Sequence, residues 1–205
     1  MVIFPETHGV LFKMKHLVLS LCTVSVLLLC SCAREYIPYE VLQVSKFDKV
    51  YTAYTLWYTD PMTMTNENIQ QGSIIPFGTE VRITYMDDNR ICFEAAGKNF
   101  QISIAEKSLE NIHAFTIRTF SSKNAEALAG NSTASQFEKM RRGIIAEGMT
   151  EQQVLTAYGR PSITRSPLLS NDTWIYQVGP VKSRRVIFRK TDKEKPRTVS
   201  RIFEL

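Results

Sequence analysis

Gly148-Met149-Thr150-Glu151-Gln152-Gln153-Val154-Leu155-Thr156-Ala157-Tyr158-Gly159-Arg160-Pro161 specifies a short helix with both ends marked. Thr150 is placed as an N-cap: its hydroxyl can accept from the Gln153 N–H while the Gln153 side chain returns to the Thr150 N–H. Met149 and Val154 are spaced as a hydrophobic staple, and Val154, Leu155 and Tyr158 fall on one face. Gly159 supplies the left-handed residue that ends a helix, and Pro161 cannot continue it. Upstream, Ser135-Gln136-Phe137-Glu138 reads as a second capping box. Phe137, Met140, Ile144 and Ile145 follow at helical spacing, and Gly148 closes that helix. Two helices joined so tightly predict an αα-hairpin. Downstream, Thr173 to Val178, Arg185 to Phe188 and Val199 to Phe203 read as strands. Helix, helix and antiparallel strands make an α+β layer arrangement.

Gly148-Met149-Thr150, Val154, Gly159 and Pro161, followed by Asn171-Asp172-Thr173-Trp174-Ile175-Tyr176, resemble the signature of the BamE (SmpA/OmlA) lipoprotein domain. The resemblance covers residues 135–205. It implies an αα-hairpin packed on a three-stranded antiparallel sheet, and an outer-membrane lipoprotein that supports β-barrel insertion. Taken singly, the same residues are caps, a turn glycine and core aromatics, so the motif identifies a fold better than an active site.

The N-terminus agrees with that compartment. Lys13, Lys15 and His16 precede an apolar run from Leu17 to Leu29, too short to span a bilayer and suited to a signal peptide. Leu29-Cys30-Ser31-Cys32 resembles the bacterial lipobox, which implies a signal over residues 1–31 and lipid on Cys32. Residues 1–13 read as an upstream extension, because Met14-Lys15 would be a normal start. Ala33 after the cysteine resembles outer-membrane sorting, with the chain lipid-anchored on the periplasmic face. Only Cys92 then remains of four cysteines, so no disulfide can form within the mature chain.

Residues 32–44 read as a tether and residues 45–120 as a strand-rich domain. Lys49 to Tyr58 is dense in aromatic and β-branched residues. Val81, Ile83 and Tyr85 alternate cleanly, Asp87-Asp88-Asn89 is a hairpin turn, and Arg90 to Ala95 and Phe100 to Ile104 return. His113 to Phe120 reads as the last strand. Short strands with short turns suggest a small barrel. Pro76-Phe77-Gly78-Thr79-Glu80-Val81 is similar to the turn before the central strand of bacterial SH3-like domains. That resemblance implies peptide or cell-wall binding through loop aromatics, with Tyr54, Trp57 and Tyr58 as candidates and barrel core as their other reading. Residues 121–134, rich in Ser, Asn, Ala and Gly, read as a linker with one helical turn.

Charge divides the chain. Residues 32–136 hold nine Lys+Arg against twelve Asp+Glu, a balance of −3, and residues 137–205 hold fourteen against seven, a balance of +7. The basic set is Arg184, Arg185, Arg189, Lys190, Lys193, Lys195, Arg197 and Arg201. It suits anionic lipid head groups or an acidic protein partner, and the targeting signal argues against nucleic acid. With Val186 and Phe188 turned toward the helices, Arg185 and Arg189 should point away from the core. The alternative for such charges is a solvated sheet edge.

Catalytic chemistry finds little support. After cleavage the mature chain carries one histidine, His113, and one thiol, Cys92, too few for a zinc site. No nucleophile elbow, phosphate-binding glycine loop or His-Glu-x-x-His is present, and no cofactor is implied. The expectation is a non-enzymatic envelope lipoprotein acting as an assembly or interaction module. The alternatives are an SH3-like module holding peptidoglycan or a peptide, and a hydrolase using Cys92 and His113.

Overall fold

Alternation builds the first sheet, and one extra residue breaks it where it matters. In β5 (Glu80–Met86), Val81, Ile83 and Met86 are buried while Glu80, Arg82 and Thr84 are exposed. The register against β6 (Arg90–Ala95) skips Thr84, pairing Ile83 with Phe93 and Tyr85 with Cys92. That bulge turns Met86 into the core and leaves Tyr85 half-buried, so the expected Val81/Ile83/Tyr85 face ends at Ile83. The computed structural model describes residues 34–161, 163, 165–190 and 194–205. The signal segment, Cys32 and Lys193 lie outside the described residues.

β7 (Lys98–Ser103), β1 (Val50–Thr52), β3 (Met64–Thr65) and β8 (Phe120–Ser121) complete a six-stranded sheet in the order β3-β7-β6-β5-β1-β8. Its pairings are antiparallel except β3 with β7. A separate ribbon pairs β2 (Leu56–Tyr58) with β4 (Ser73–Ile75). The Asp87 turn forms as its composition demands: Asp87 Oδ1 accepts the N–H groups of Asn89 and Arg90, both at 2.9 Å.

Three segments differ from their sequence reading. His113 to Phe120 is not a strand but mostly helix α2 (Ile112–Thr119), capped by Asn111, whose side chain accepts from the Ala114 N–H at 2.9 Å. Its buried residues are Ile112, Phe115, Thr116 and Thr119, a helical rather than a two-residue period. The tether is structured from Glu35: α1 (Pro38–Leu42) forms, and Tyr36, Tyr39, Val41, Leu42 and Val44 pack on the first core. The supposed linker carries α3 (Ala125–Ala129), whose Ala125 and Ala129 are buried in a second core. Gly78 explains the alanine at 125, because a Cβ on Gly78 would lie within 3.0 Å of Ala125.

The second core joins α3, α4 (Ala134–Arg141) and α5 (Glu151–Tyr158) to a three-stranded antiparallel sheet of β9 (Thr173–Gln177), β10 (Ser183–Arg189) and β11 (Thr198–Glu204). The α5 capping box is as expected, with Thr150 and Gln153 exchanging hydrogen bonds of 3.3 and 2.8 Å. The α4 box is displaced: Thr133, not Ser135, is the cap, paired with Gln136 at 3.2 and 3.0 Å. Helix α4 also stops early, at Arg141, and Gly143 follows at φ +65°. Ile144 is therefore 36% exposed and outside the core, while Ile145 is buried from a loop. Gly148 does not close a helix. Its N–H bonds Val199 O and the Val199 N–H bonds Met149 O, both at 2.8 Å, pinning the loop to β11.

No boundary falls between residues 45–120 and 135–205. Phe77 reaches from the β4–β5 turn into the second core, and Trp57 of β2 stacks edge-on against Tyr158 at 5.1 Å. Backbone bonds cross too, from Thr55 N to Thr156 O at 3.0 Å and from Gln70 N to Gln177 O at 3.1 Å. Residues Glu35–Leu205 form one unit of mixed α+β structure.

Candidate functional site

The three-stranded sheet has two chemically different faces, set by residue parity. On β10, Val186 and Phe188 are buried with Trp174 and Tyr176 of β9, and Trp174 lies 4.4 Å from the Phe188 ring. Trp174 Nε1 donates to Leu169 O at 3.1 Å, and the Tyr176 hydroxyl donates to Gly159 O at 3.1 Å. Complete burial pushes the Tyr176 phenol well above its ordinary pKa, so it stays a neutral donor. The opposite face is built from rows across the strands. One row is Ile175–Arg185–Phe203 and the next is Thr173–Ile187–Arg201. Ser183 sits between Gln177 and Leu205 beyond them, and Arg189 lies opposite Thr198. Phe203 is 43% and Leu205 57% exposed. Ile175, Ile187, Phe203 and Leu205 belong to neither buried cluster.

The arginines sort by the same parity. Arg185, Arg189 and Arg201 are exposed and, among the described residues, make no ion pair or hydrogen bond through their side chains. Arg184, expected as a docking residue beside them, sits on the other face. It donates to the Tyr158 hydroxyl at 2.8 Å and pairs with Glu204 at 2.5 Å, its guanidinium 5.3 Å from the Tyr158 ring centre. Burial raises the Tyr158 pKa, and Arg184 partly offsets that rise. Arg197 is likewise internal. It holds Glu151 and Asp172 together with the carbonyls of Leu169 and Ser170, fastening the start of α5 to the loop before β9. Lys190 and Lys195 are exposed at the periphery.

The aromatic candidates do not share one surface. Tyr54 is core, with its hydroxyl 3.0 Å from Thr119 Oγ1 and accepting from Arg118 at 3.0 Å. Arg118 in turn holds Glu110 through two contacts of 2.8 and 2.5 Å. Trp57 and Tyr58 are half-buried, Trp57 against Tyr158 and Tyr58 5.2 Å from Phe100. Together with Asp60, Thr63, Met64 and Ile69 they line a cleft of about 180 Å³. No protein-family model, curated protein or solved structure matches this chain.

Cys92 and His113 have separate partners. The Cys92 thiol lies 3.8 Å from Gln101 Oε1, and burial raises its pKa, the opposite of thiolate activation. His113 stands edge-on to Tyr36 at 4.4 Å, its buried Nε2 without a hydrogen-bond partner among the described residues. Among the described residues, no three His, Cys, Asp or Glu side chains are grouped to hold a metal ion. Sequence reasoning found Arg185, Arg189 and Arg201 but missed their apolar neighbours Ile175, Phe203 and Leu205. The missed signal was the position of Ile175 between Trp174 and Tyr176, which parity turns away from the core.

Proposed function

We propose that this chain is a non-enzymatic bacterial envelope lipoprotein, held by Cys32 on the periplasmic face of the outer membrane, that works as an assembly or interaction module. In this reading residues 135–205 are a BamE-like αα-hairpin on a sheet, and the N-terminal strands an SH3-like barrel. The observation that carries the reading is the exposed sheet face, where three arginines without an ion pair among the described residues stand beside exposed Phe203 and half-buried Ile175 and Ile187. Such a face suits a partner, because charge steers association while apolar contact supplies area. A second reading, peptide or peptidoglycan binding, rests on the cleft beside Trp57 and Tyr58.

Two measurements test this. Metabolic labelling with a palmitate analogue should mark the wild type and not Cys32→Ser, since acyl chains contribute about 0.8 kcal/mol per buried CH₂ to anchoring. Equal labelling of both proteins removes the lipoprotein assignment. Cross-linking in membranes should then lose its adduct on reversal of Arg185 and Arg189. Loss on changing Trp57 and Tyr58 instead transfers the function to the cleft.

A further inference from the structure

We infer that the exposed face of the β9–β11 sheet docks an acidic, amphipathic segment of a protein partner, and that Arg185, Arg201 and Phe203 are its specificity-determining residues. The inference deepens the interaction-module reading and rests on it. Its starting point is a checkerboard. Arg185 stands directly opposite both Phe203 and Ile175, and Arg201 stands directly opposite Ile187. Opposed side chains lie about 5 Å apart and diagonal ones about 7–8 Å, so Arg185 and Arg201 are diagonal neighbours with apolar side chains filling the squares between.

Each part of that pattern narrows the occupant. Neither Asp nor Glu contributes to the rows of this face, and among the described residues no carboxylate pairs with the guanidinium groups of Arg185 and Arg201. Their charge is therefore available to an anionic partner. Both positions hold arginine, whose planar fork matches a carboxylate through two parallel hydrogen bonds. The apolar squares exclude a purely electrostatic contact, because Phe203 and Leu205 expose surface that a hydrated polyanion would leave uncovered. A bilayer interior fits no better. Phe203 cannot be buried in hydrocarbon without carrying the adjacent Arg185 with it, and a charged side chain there is costly. A polypeptide in which a carboxylate and an Ile, Leu or aromatic residue take successive second positions puts both on one side of an extended strand and satisfies both square types at once. Their spacing of about 6.7 Å between i and i+2 matches that from Arg185 to Ile187 along β10.

The test uses the full-length chain in detergent micelles and three probes. One is a labelled synthetic peptide with Glu and then Ile or Phe at successive second positions and Ser between them, the second is its Glu→Lys counterpart, and the third is vesicles of phosphatidylglycerol in phosphatidylcholine. Anisotropy should show binding of the Glu peptide alone, weakening at least about tenfold when salt rises enough to shrink the screening length from 30 to 8 Å. Arg185→Glu with Arg201→Glu should cost at least about tenfold more, and Phe203→Ser a similar factor at constant salt dependence. Arg142→Glu, an exposed reversal off this face, should leave binding unchanged. If the double reversal unfolds the chain, Arg185→Gln with Arg201→Gln carries the comparison. Equal binding of the two peptides, or retention after neutralisation, overturns the proposal. So does sedimentation with vesicles that depends on Arg185 and Arg201 while the peptide fails to bind. The lipoprotein assignment stands or falls separately, on Cys32 labelling.

Discussion

Gly159→Ala should be among the most damaging single methyl additions to this protein. Gly159 ends α5 at φ 82° and ψ −174°, a region that is essentially glycine-only rather than the left-handed helical cap its position suggested. Holding alanine there costs about 1–3 kcal/mol in backbone strain. The methyl would also stand within 3.0 Å of Asn68 Nδ2 and 3.2 Å from the Tyr54 ring. Asn68 is buried and holds the backbone at and just before β2. Its Oδ1 accepts the Trp57 N–H at 2.8 Å and its Nδ2 donates to Thr55 O at 3.2 Å. Moving it orphans two backbone groups, adding about 1–3 kcal/mol. The sum, roughly 2–6 kcal/mol, is a large share of a typical 5–15 kcal/mol stability. Gly148→Ala is the reference, because Gly148 has the same φ of +82° but nothing within 4 Å of its added methyl. Equilibrium urea unfolding should place Gly159→Ala at least about 1 kcal/mol below Gly148→Ala. Asn68→Ala should recover part of that loss in the double variant, through a coupling of about 1 kcal/mol or more. Equal midpoints for the two glycine variants, or strict additivity with Asn68→Ala, would refute the reasoning.

Trp174→Ala should lower unfolding free energy by about 3–5 kcal/mol, since it empties a site 1% exposed and against Phe188. Leu169 O keeps a donor from Arg197, so the loss is chiefly packing, and Trp174→Phe should recover most of it in the same denaturation assay. Acid should destabilise the fold through two carboxylates. Burial acts to raise Asp87 and Glu110, but hydrogen bonds from Asn89, Tyr85 and Arg90 on the first, and from Arg118 on the second, outweigh it and lower both. A depressed folded pKa adds stability that is full above the unfolded value of about 4 and is lost as pH falls through the folded one. Melting temperature should therefore decline below about pH 4, and less steeply in Arg118→Met, where Glu110 has lost its partner.

The sequence was most legible where structure is decided within one turn or one strand. The Thr150–Gln153 box and the buried pair Trp174/Tyr176 follow from spacing alone. Misreadings arose where two periods fit the same residues. In 112–119, Phe115 and Ile117 mimic strand alternation, but Ile117 is 59% exposed and it is Ile112, Phe115, Thr116 and Thr119 that turn inward. Asn111 was the available signal, an N-cap directly before the run. Long-range effects had no local signature. Nothing near Phe77 announces that it belongs to the second core, and the segment 121–134, read as a linker with one helical turn, hides that Ala125 and Ala129 of that turn are core, because alanine can be core only where Gly78 lets backbone approach. Charge counting failed for the same reason at Arg184 and Arg197, whose partners lie 20 or more residues away in sequence.

A strict two-residue period would not produce the candidate face. Val199, Arg201 and Phe203 are spaced by two and would share one side of β11, forcing either Val199 outward or Arg201 into the core. The register avoids this by skipping Ser200: Ile187 pairs with Arg201, and Phe188 pairs with Val199. Ser200 is the extra residue, and its hydroxyl donates to Ile187 O at 3.1 Å, occupying the irregular step. One strand can then bury Val199, whose backbone also anchors the loop at Gly148 and Met149, and still present Arg201 and Phe203 outward beside Arg185. The bulge at Thr84 does the same for Met86 in the other sheet. The face that carries the proposed interaction thus depends less on the number of arginines than on one serine that resets their side.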